Sequence, residues 1–316
     1  MELILALDFG GTKNSAGLAE RGRQNWLKLE RRSSPSNPTG AYDWQTMVAL
    51  GHQLLQGARP AAVGVSFGGP VRASRGQVIL SHHVPGWENF PLVARLHEEF
   101  GAPAVVDNDA NIAALGEARR GAGRGAASVF YVTVSTGVGG GWVLDGKIYH
   151  GKNEMAGEIG HLQVDPAGPV CICGRRGCVE VLACGPSIAR FARERLEREP
   201  ERGALLRQRA NGDLSDITAQ MVNESALAGD ALAREVMDNA ARALGLGVGS
   251  AIALMNPERV VIGGGVSKSG PHYFDVVRAA ARGNCLPEMD VNIVPAELGD
   301  DAPLWGAVSL AEDLLQ

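Results

Sequence analysis

Leu3-Ile4-Leu5-Ala6-Leu7-Asp8-Phe9-Gly10-Gly11-Thr12-Lys13-Asn14-Ser15-Ala16-Gly17-Leu18 is the segment from which the architecture can be built. Leu3–Leu7 is a continuous apolar run of strand length, the pattern of a strand buried on both faces. The turn Asp8–Lys13 follows, and Ser15–Leu18 begins a second strand. Glu20-Arg21-Gly22-Arg23 marks a second turn, and an alternating third strand runs from Asn25 to Glu30. Loops this short join antiparallel strands, because a parallel pair needs a long crossover. Outward from here the periodicity predicts a helix over Tyr42–Gln56, a strand at Ala62–Ser66 and a hairpin over Arg72–Leu80. A helix at Leu92–Phe100 and a strand at Ala104–Val106 come next. Asp107-Asn108-Asp109-Ala110-Asn111 then opens a helix reaching about Arg119.

The same grammar returns in the second half. Ser128–Val134 reads as a strand, Ser135–Gly141 as a glycine turn and Trp142–Leu144 as a strand, with a hairpin at Asp145-Gly146. Later come helical stretches, a strand at Arg259–Ile262, the turn Gly263-Gly264-Gly265, a helix near Tyr273–Arg282, a strand at Val291–Val294 and a terminal helix. Two such strand-turn-strand units predict a duplicated α/β architecture with mixed sheets and a cleft between two halves. The expected division is a small domain over 1–119, with the helix 303–316 packing back on it, and a large domain over 120–302. The charged helical segment Arg190–Gly212 reads as a surface excursion.

Composition narrows the function. The chain has 316 residues, 45% hydrophobic and 21% charged, with a net charge of −5. That balance excludes a disordered tail and gives no pull toward phosphate backbones, so no nucleic-acid partner is expected. Met1–Asp8 lacks a basic leader, and the uncharged run Ala243–Pro257 is too short to span a bilayer, so a cytoplasmic protein without a membrane partner is expected. The 42 glycines are in excess, and the places for them are turns and close approaches of backbone to ligand.

Three glycine runs follow apolar strands. In Asp8-Phe9-Gly10-Gly11-Thr12-Lys13, backbone N–H groups, a hydroxyl and an ammonium can face an anion while the carboxylate holds hydrated Mg²⁺. A plain hairpin turn uses the same residues. Thr133–Gly141 has the same character, and two such loops suit a triphosphate gripped from two sides. Gly263-Gly264-Gly265 can admit an adenosine or simply turn the chain. Asp109 stands where a general base for phosphoryl transfer to an alcohol would sit, with the amides of Asn108 and Asn111 beside it; an N-cap explains the same residues.

Cys171-Ile172-Cys173-Gly174-Arg175-Arg176-Gly177-Cys178, preceded by Glu158-Ile159-Gly160-His161, supplies one imidazole and three thiols. That set suits a closed tetrahedral Zn²⁺ site of structural kind. Cys184 and Cys285 fit no ligand set and read as small core residues. Glu154, Glu158 and Glu180 are acids that can accept sugar hydroxyls or be solvated. In Ser81-His82-His83-Val84-Pro85-Gly86-Trp87, Trp87 can stack on a sugar face or anchor its loop.

Together these motifs resemble the ROK family (repressors, open reading frames and sugar kinases) of the actin-like ATPase, ribonuclease H-like fold. The strongest part is Gly157–His161 with Cys171–Glu180. The resemblance implies ATP-dependent phosphorylation of a hexose at its 6-hydroxyl, with glucose first and N-acetylmannosamine and N-acetylglucosamine as rivals. It implies Asp109 as base and Gly69, His83, Asn108, Glu158, His161 and Glu180 around the sugar. It assigns Asp8, Gly10, Gly11, Thr12 and Lys13 to one phosphate loop, Thr136, Gly137, Val138 and Gly139 to another, and Gly264 and Gly265 to adenosine. Zn²⁺ falls to His161, Cys171, Cys173 and Cys178, and a homodimer or homotetramer is implied. His83 stands where the family often has Asn, and Ser135 where Gly is common. A sugar-responsive regulator, the other class in this family, carries an N-terminal helix-turn-helix for which no room is expected before Leu3. A catalytically silent sugar-binding protein is the third reading.

Overall fold

In the computed structural model the residues described are 2–11, 13–81 and 84–316. The elements begin with β1 (Leu3–Phe9), β2 (Lys13–Glu20), β3 (Trp26–Ser33) and α1 (Gly40–Leu55). Next come β4 (Ala62–Phe67), the short pair β5 (Val71–Arg72) and β6 (Gln77–Val78), α2 (Leu92–Phe100), β7 (Ala104–Asn108) and α3 (Asp109–Arg120). The middle holds β8 (Ser128–Val134), β9 (Val138–Leu144), β10 (Lys147–Ile148), α4 (Val179–Ala183), α5 (Gly185–Arg198) and α6 (Ala204–Arg209). The chain closes with α7 (Ala219–Leu227), α8 (Ala231–Met255), β11 (Arg259–Gly263), α9 (Pro271–Arg282), β12 (Ile293–Pro295) and α10 (Ala302–Asp313). Among the described residues no helix is long and apolar enough to cross a membrane.

Two five-stranded mixed sheets carry the duplication, ordered β3-β2-β1-β4-β7 and β10-β9-β8-β11-β12. The two orders correspond strand for strand: a hairpin-joined antiparallel trio, then two strands added in parallel. Two compact units result. One is Met1–Ala127 with Gly141–Ala156 and Glu297–Gln316; the other is Ser128–Gly140 with Gly157–Ala296. The first therefore runs past Arg119 and takes in the β10 hairpin. The cause is local, since the Arg119 guanidinium donates to the Gly146 carbonyl and pairs with Asp313.

In the first unit, β1 buries both faces, as its unbroken apolar run requires. Leu5, Leu7 and Phe9 pack with α1 and α2 residues such as Met47, Leu50 and Leu96. Ile4 and Ala6 pack on the other side with Ile112, Leu304, Ala307 and Val308 of α3 and α10. The buried Glu117 ties these layers, its carboxylate accepting from the backbone N–H groups of Ala122, Glu297 and Leu298.

Three local expectations change. Gly139–Gly141 lie within strand β9 rather than in a turn. At Gly141 the sheet meets the α3 backbone, and a Cβ there would stand 2.9 Å from the Ala110 carbonyl oxygen. The segment Arg190–Gly212 is not purely surface, because α5 and α6 bury Ala192, Leu196 and Leu206 completely. Cys184 is buried, but Cys285 is only partly so.

Candidate active site

The first unit gathers polar groups at the carboxyl ends of parallel strands β1, β4 and β7. Register sets Asp8 beside Ser66, and Ser66 beside Asp107. Ser66 Oγ donates to Asp8 Oδ1 at 2.7 Å. Asp8 is buried, and its carboxyl is pushed up to about 6, chiefly by burial. The nearby Asp109 charge adds to the rise, while Ser66, Lys13 and Arg31 oppose it. A carboxylate kept where its charge destabilises the fold fits a cation-holding role, and Asp8 is the residue that would hold Mg²⁺. A pKa raised above the unfolded value favours the native state fully at low pH, and that stability is lost as pH rises through 6. Asp8→Asn is therefore expected to stabilise the ligand-free protein at pH 7.5 by about 3 kcal/mol, with the gain gone by about pH 4. Urea unfolding at both pH values checks this, and an equal difference at both would refute it.

Asp109 opens α3. Its Oδ1 accepts from the Ala110 N–H at 2.9 Å. Its Oδ2 lies over Gly68, where a Cβ would stand 3.8 Å from that oxygen and 3.1 Å from the Phe9 carbonyl. Asn108 is the N-cap of α3: its Oδ1 accepts from Ala110 N–H at 3.0 Å, while Nδ2 donates to the Gly69 carbonyl at 3.1 Å. Asn111 is buried, and its amide nitrogen donates to Asp107 Oδ1 at 3.0 Å. Gly10 and Gly11 form the turn between β1 and β2, with Gly10 N–H donating to the Lys13 carbonyl at 3.2 Å. Lys13 Nζ lies 3.7 Å from the Asp300 carboxylate, both groups well exposed. Thr12 and His83 lie outside the described residues. Trp87 is 1% exposed and stands edge-on to Phe9, Phe67 and Phe90. It anchors its loop and offers no face to a sugar. Glu154 is partly buried, and its carboxylate accepts from the Ser74 hydroxyl.

In the second unit the β8–β9 turn is Ser135–Gly137, where Ser135 N–H donates to the Gly137 carbonyl at 2.9 Å. Glu180, in the first turn of α4, accepts from the Val138 N–H at 3.0 Å, so its carboxylate braces the strand that leaves this loop. Gly264 and Gly265 follow β11. Gly265, Ser135 and Thr136 share the lining of a cavity of about 870 Å³ with Arg193, Asn223 and Lys268. That volume is within the range of small-molecule sites. Arg193, Asn223 and Lys268 belong to no motif, and nothing short of the fold brings them together.

Glu158 is exposed and precedes the 3-10 turn Ile159–His161. That turn rests on β9, where Gly160 lies so close to the Val138 carbonyl that no Cβ fits. His161, Cys171, Cys173 and Cys178 bring their donor atoms within 4.8 Å of one another. His161 Nδ1 is 3.6 Å from Cys171 Sγ, and Cys173 Sγ is 3.6 Å from Cys178 Sγ. Zn–S bonds of about 2.3 Å in a tetrahedron put ligand atoms about 3.7 Å apart, so donor chemistry and spacing both fit Zn²⁺.

The repeated sheet order, with glycine turns and acids at its strand ends, defines a two-unit α/β protein of the actin-like ATPase fold. The chain belongs to the ROK family, whose model matches residues 4–314. The glucokinase of Halalkalibacterium halodurans is 42% identical over 248 residues, 77% of this chain and 74% of its own. The N-acetylmannosamine kinase of Salmonella typhi is 33% identical over 311 residues, 98% of each chain. The crystal structure of a ROK family glucokinase from Streptomyces griseus, in complex with glucose and AMPPNP, is 33% identical with a TM-score of 0.84. That likeness covers 98% of this chain and 99% of the other.

Proposed function

We propose that this chain is an ATP-dependent hexose kinase that transfers the γ-phosphoryl group to the 6-hydroxyl of glucose. The observation that carries the reading is Asp109, whose Oδ2 looks out over Gly68 at the strand ends. The similarity to glucokinases, one of them in complex with glucose and an ATP analogue, supports the substrates. Phosphoryl transfer asks for positioning and charge stabilisation rather than covalent help. Asp109 Oδ2 accepts the 6-hydroxyl proton as that oxygen bonds to the γ-phosphorus, and the bond to the bridging oxygen breaks, releasing ADP. Phosphate oxygens fall to the turn amides of Gly11, Thr136 and Gly137 and to the Lys13 ammonium, and Gly264 and Gly265 border the adenosine. Beside the phosphates, Gly10 keeps its backbone free of side-chain bulk, while Val138 and Gly139 are bound in strand β9. By the family resemblance, the sugar hydroxyls fall to Gly69, His83, Asn108, Glu158, His161 and Glu180.

Mg²⁺, held through Asp8, would neutralise charge on the phosphates when bound. Zn²⁺, on His161, Cys171, Cys173 and Cys178, would brace the loop that carries a sugar contact. Family likeness extends the reading to a cytoplasmic homodimer or homotetramer serving glycolysis. The 33% identity to an N-acetylmannosamine kinase favours one second reading, the same chemistry on that sugar. An ADP-release assay with Mg-ATP and glucose, mannose, fructose, N-acetylglucosamine and N-acetylmannosamine separates the two. Glucose is expected to give the largest kcat/KM. N-acetylmannosamine leading the panel would establish the second reading, and silence throughout would overturn both.

A further inference from the structure

Asp107 and His150 belong to none of the roles assigned above, yet they meet beside the candidate base. Asp107 ends β7, two residues before Asp109, and is 2% exposed. A buried carboxylate is stable only when its oxygens are fully engaged. Here Oδ1 accepts from the Asn108 N–H at 2.7 Å and from Asn111 Nδ2 at 3.0 Å. Its Oδ2 bonds His150 Nε2 at 2.5 Å. His150 follows β10 and belongs to the same compact unit, with its side chain about one-third exposed. So one carboxylate grips the peptide of Asn108, the first turn of α3 through Asn111, and a side chain 43 residues away.

We propose that His150 is a positioning residue for phosphoryl transfer, fixing through Asp107 the β7–α3 turn on which Asn108 and Asp109 ride. The inference rests on the reading of Asp109 as base. Three features support it. The Asp107 bonds fall on both sides of Asp109, at Asn108 and Asn111, so a shift of this carboxylate moves the base rather than a distant surface. Asp109 shares that helix start, its Oδ1 accepting from the Ala110 N–H, so its position follows that of the turn. The Asp107 hydrogen bond also holds the imidazole protonated above its usual range. Burial opposes that shift, and the charges of Asp107 and Glu154 add to it. An imidazolium offsets the Asp107 charge at the start of α3.

A misplacement of about 1 Å at a reacting group costs on the order of 10²-fold in rate. His150→Ala is accordingly expected to lower kcat by about 30-fold with little change in KM for Mg-ATP. His150→Gln, whose amide can still donate to Asp107, is expected to recover most of that loss. Both variants and Asp109→Asn would be assayed in the full chain, with melting temperatures measured alongside. A kcat for His150→Ala within about twofold of the unmodified chain overturns the proposal, as does an equal loss in the Ala and Gln variants. If the Ala variant fails to fold, Gln alone decides: a Gln variant that folds but is as slow as Asp109→Asn counts against positioning through the hydrogen bond. Full turnover by Asp109→Asn would instead remove the base reading beneath it.

Discussion

Asp109→Asn is expected to lower kcat by about 10³-fold while the glucose dissociation constant measured by calorimetry stays within about threefold. The substitution is nearly isosteric. Asn can keep the bond that Asp109 Oδ1 accepts from the Ala110 N–H, so α3 keeps its first turn. What disappears is the acceptor facing Gly68, because an amide nitrogen cannot take the proton of the attacking hydroxyl. Without it, charge builds on a protonated oxygen as the bond to phosphorus forms, which is the step a base accelerates. Asp8→Asn makes an informative partner. It is also expected to lose turnover, through weaker Mg-ATP binding, but unlike Asp109→Asn it should gain stability at neutral pH, since burial is what raises the Asp8 pKa. Turnover by Asp109→Asn near the unmodified rate would eliminate Asp109 as the base.

The parts of this site that were legible in the sequence are those whose partners are near in the chain. The Leu3–Leu18 hairpin needed only an apolar run, a glycine turn and a second strand, and it stands in register from Leu3↔Glu20 to Phe9↔Asn14. Asp109 was legible because a strand end, a capping Asn and a helix start fall on consecutive residues. The Cys and His donors were legible because all four lie within eighteen residues. Gly139–Gly141 misled for a physical reason: a glycine run is a turn signal locally, and only contacts distant in sequence, the Gly157 carbonyl against Gly140 and the α3 backbone against Gly141, explain why the strand needs residues without side chains there. Trp87 could not be resolved between sugar platform and anchor, since its three aromatic neighbours come from β1, β4 and the loop after β6. Arg193, Asn223 and Lys268 line one cavity from separate elements and share no pattern. The Asp107–His150 pair was hidden by the same kind of separation, 43 residues along the chain.

Metal loss should have the second large effect, and the loop's own construction says why. Between Leu162 and Val179 the chain is held by backbone bonds such as Cys171 N–H to the Arg175 carbonyl at 2.7 Å and Gly177 N–H to the Pro169 carbonyl at 2.8 Å. Burial contributes little at its tip, where Val170 is 58% and Ile172 90% exposed. Cys171 and Cys178 are buried but the tip between them is not, which leaves a metal on the four converging donors as the cross-brace, and Zn²⁺ binding free energy then becomes folding free energy for the loop. The purified protein is expected to carry about one zinc per chain by elemental analysis. Cys178→Ser is expected to lose that metal and to lower the melting temperature by on the order of 10 °C. It should also lower kcat/KM for the sugar by about 10²-fold, because His161 would no longer be oriented. The cavity lined by Thr136, Gly265 and Lys268 lies outside the loop, so if it takes the nucleotide as proposed, an unchanged affinity for ATP is the internal control. A zinc-free protein with full activity, or a Cys178→Ser variant with an unchanged melting temperature, would show that the thiols stand together without a metal to hold.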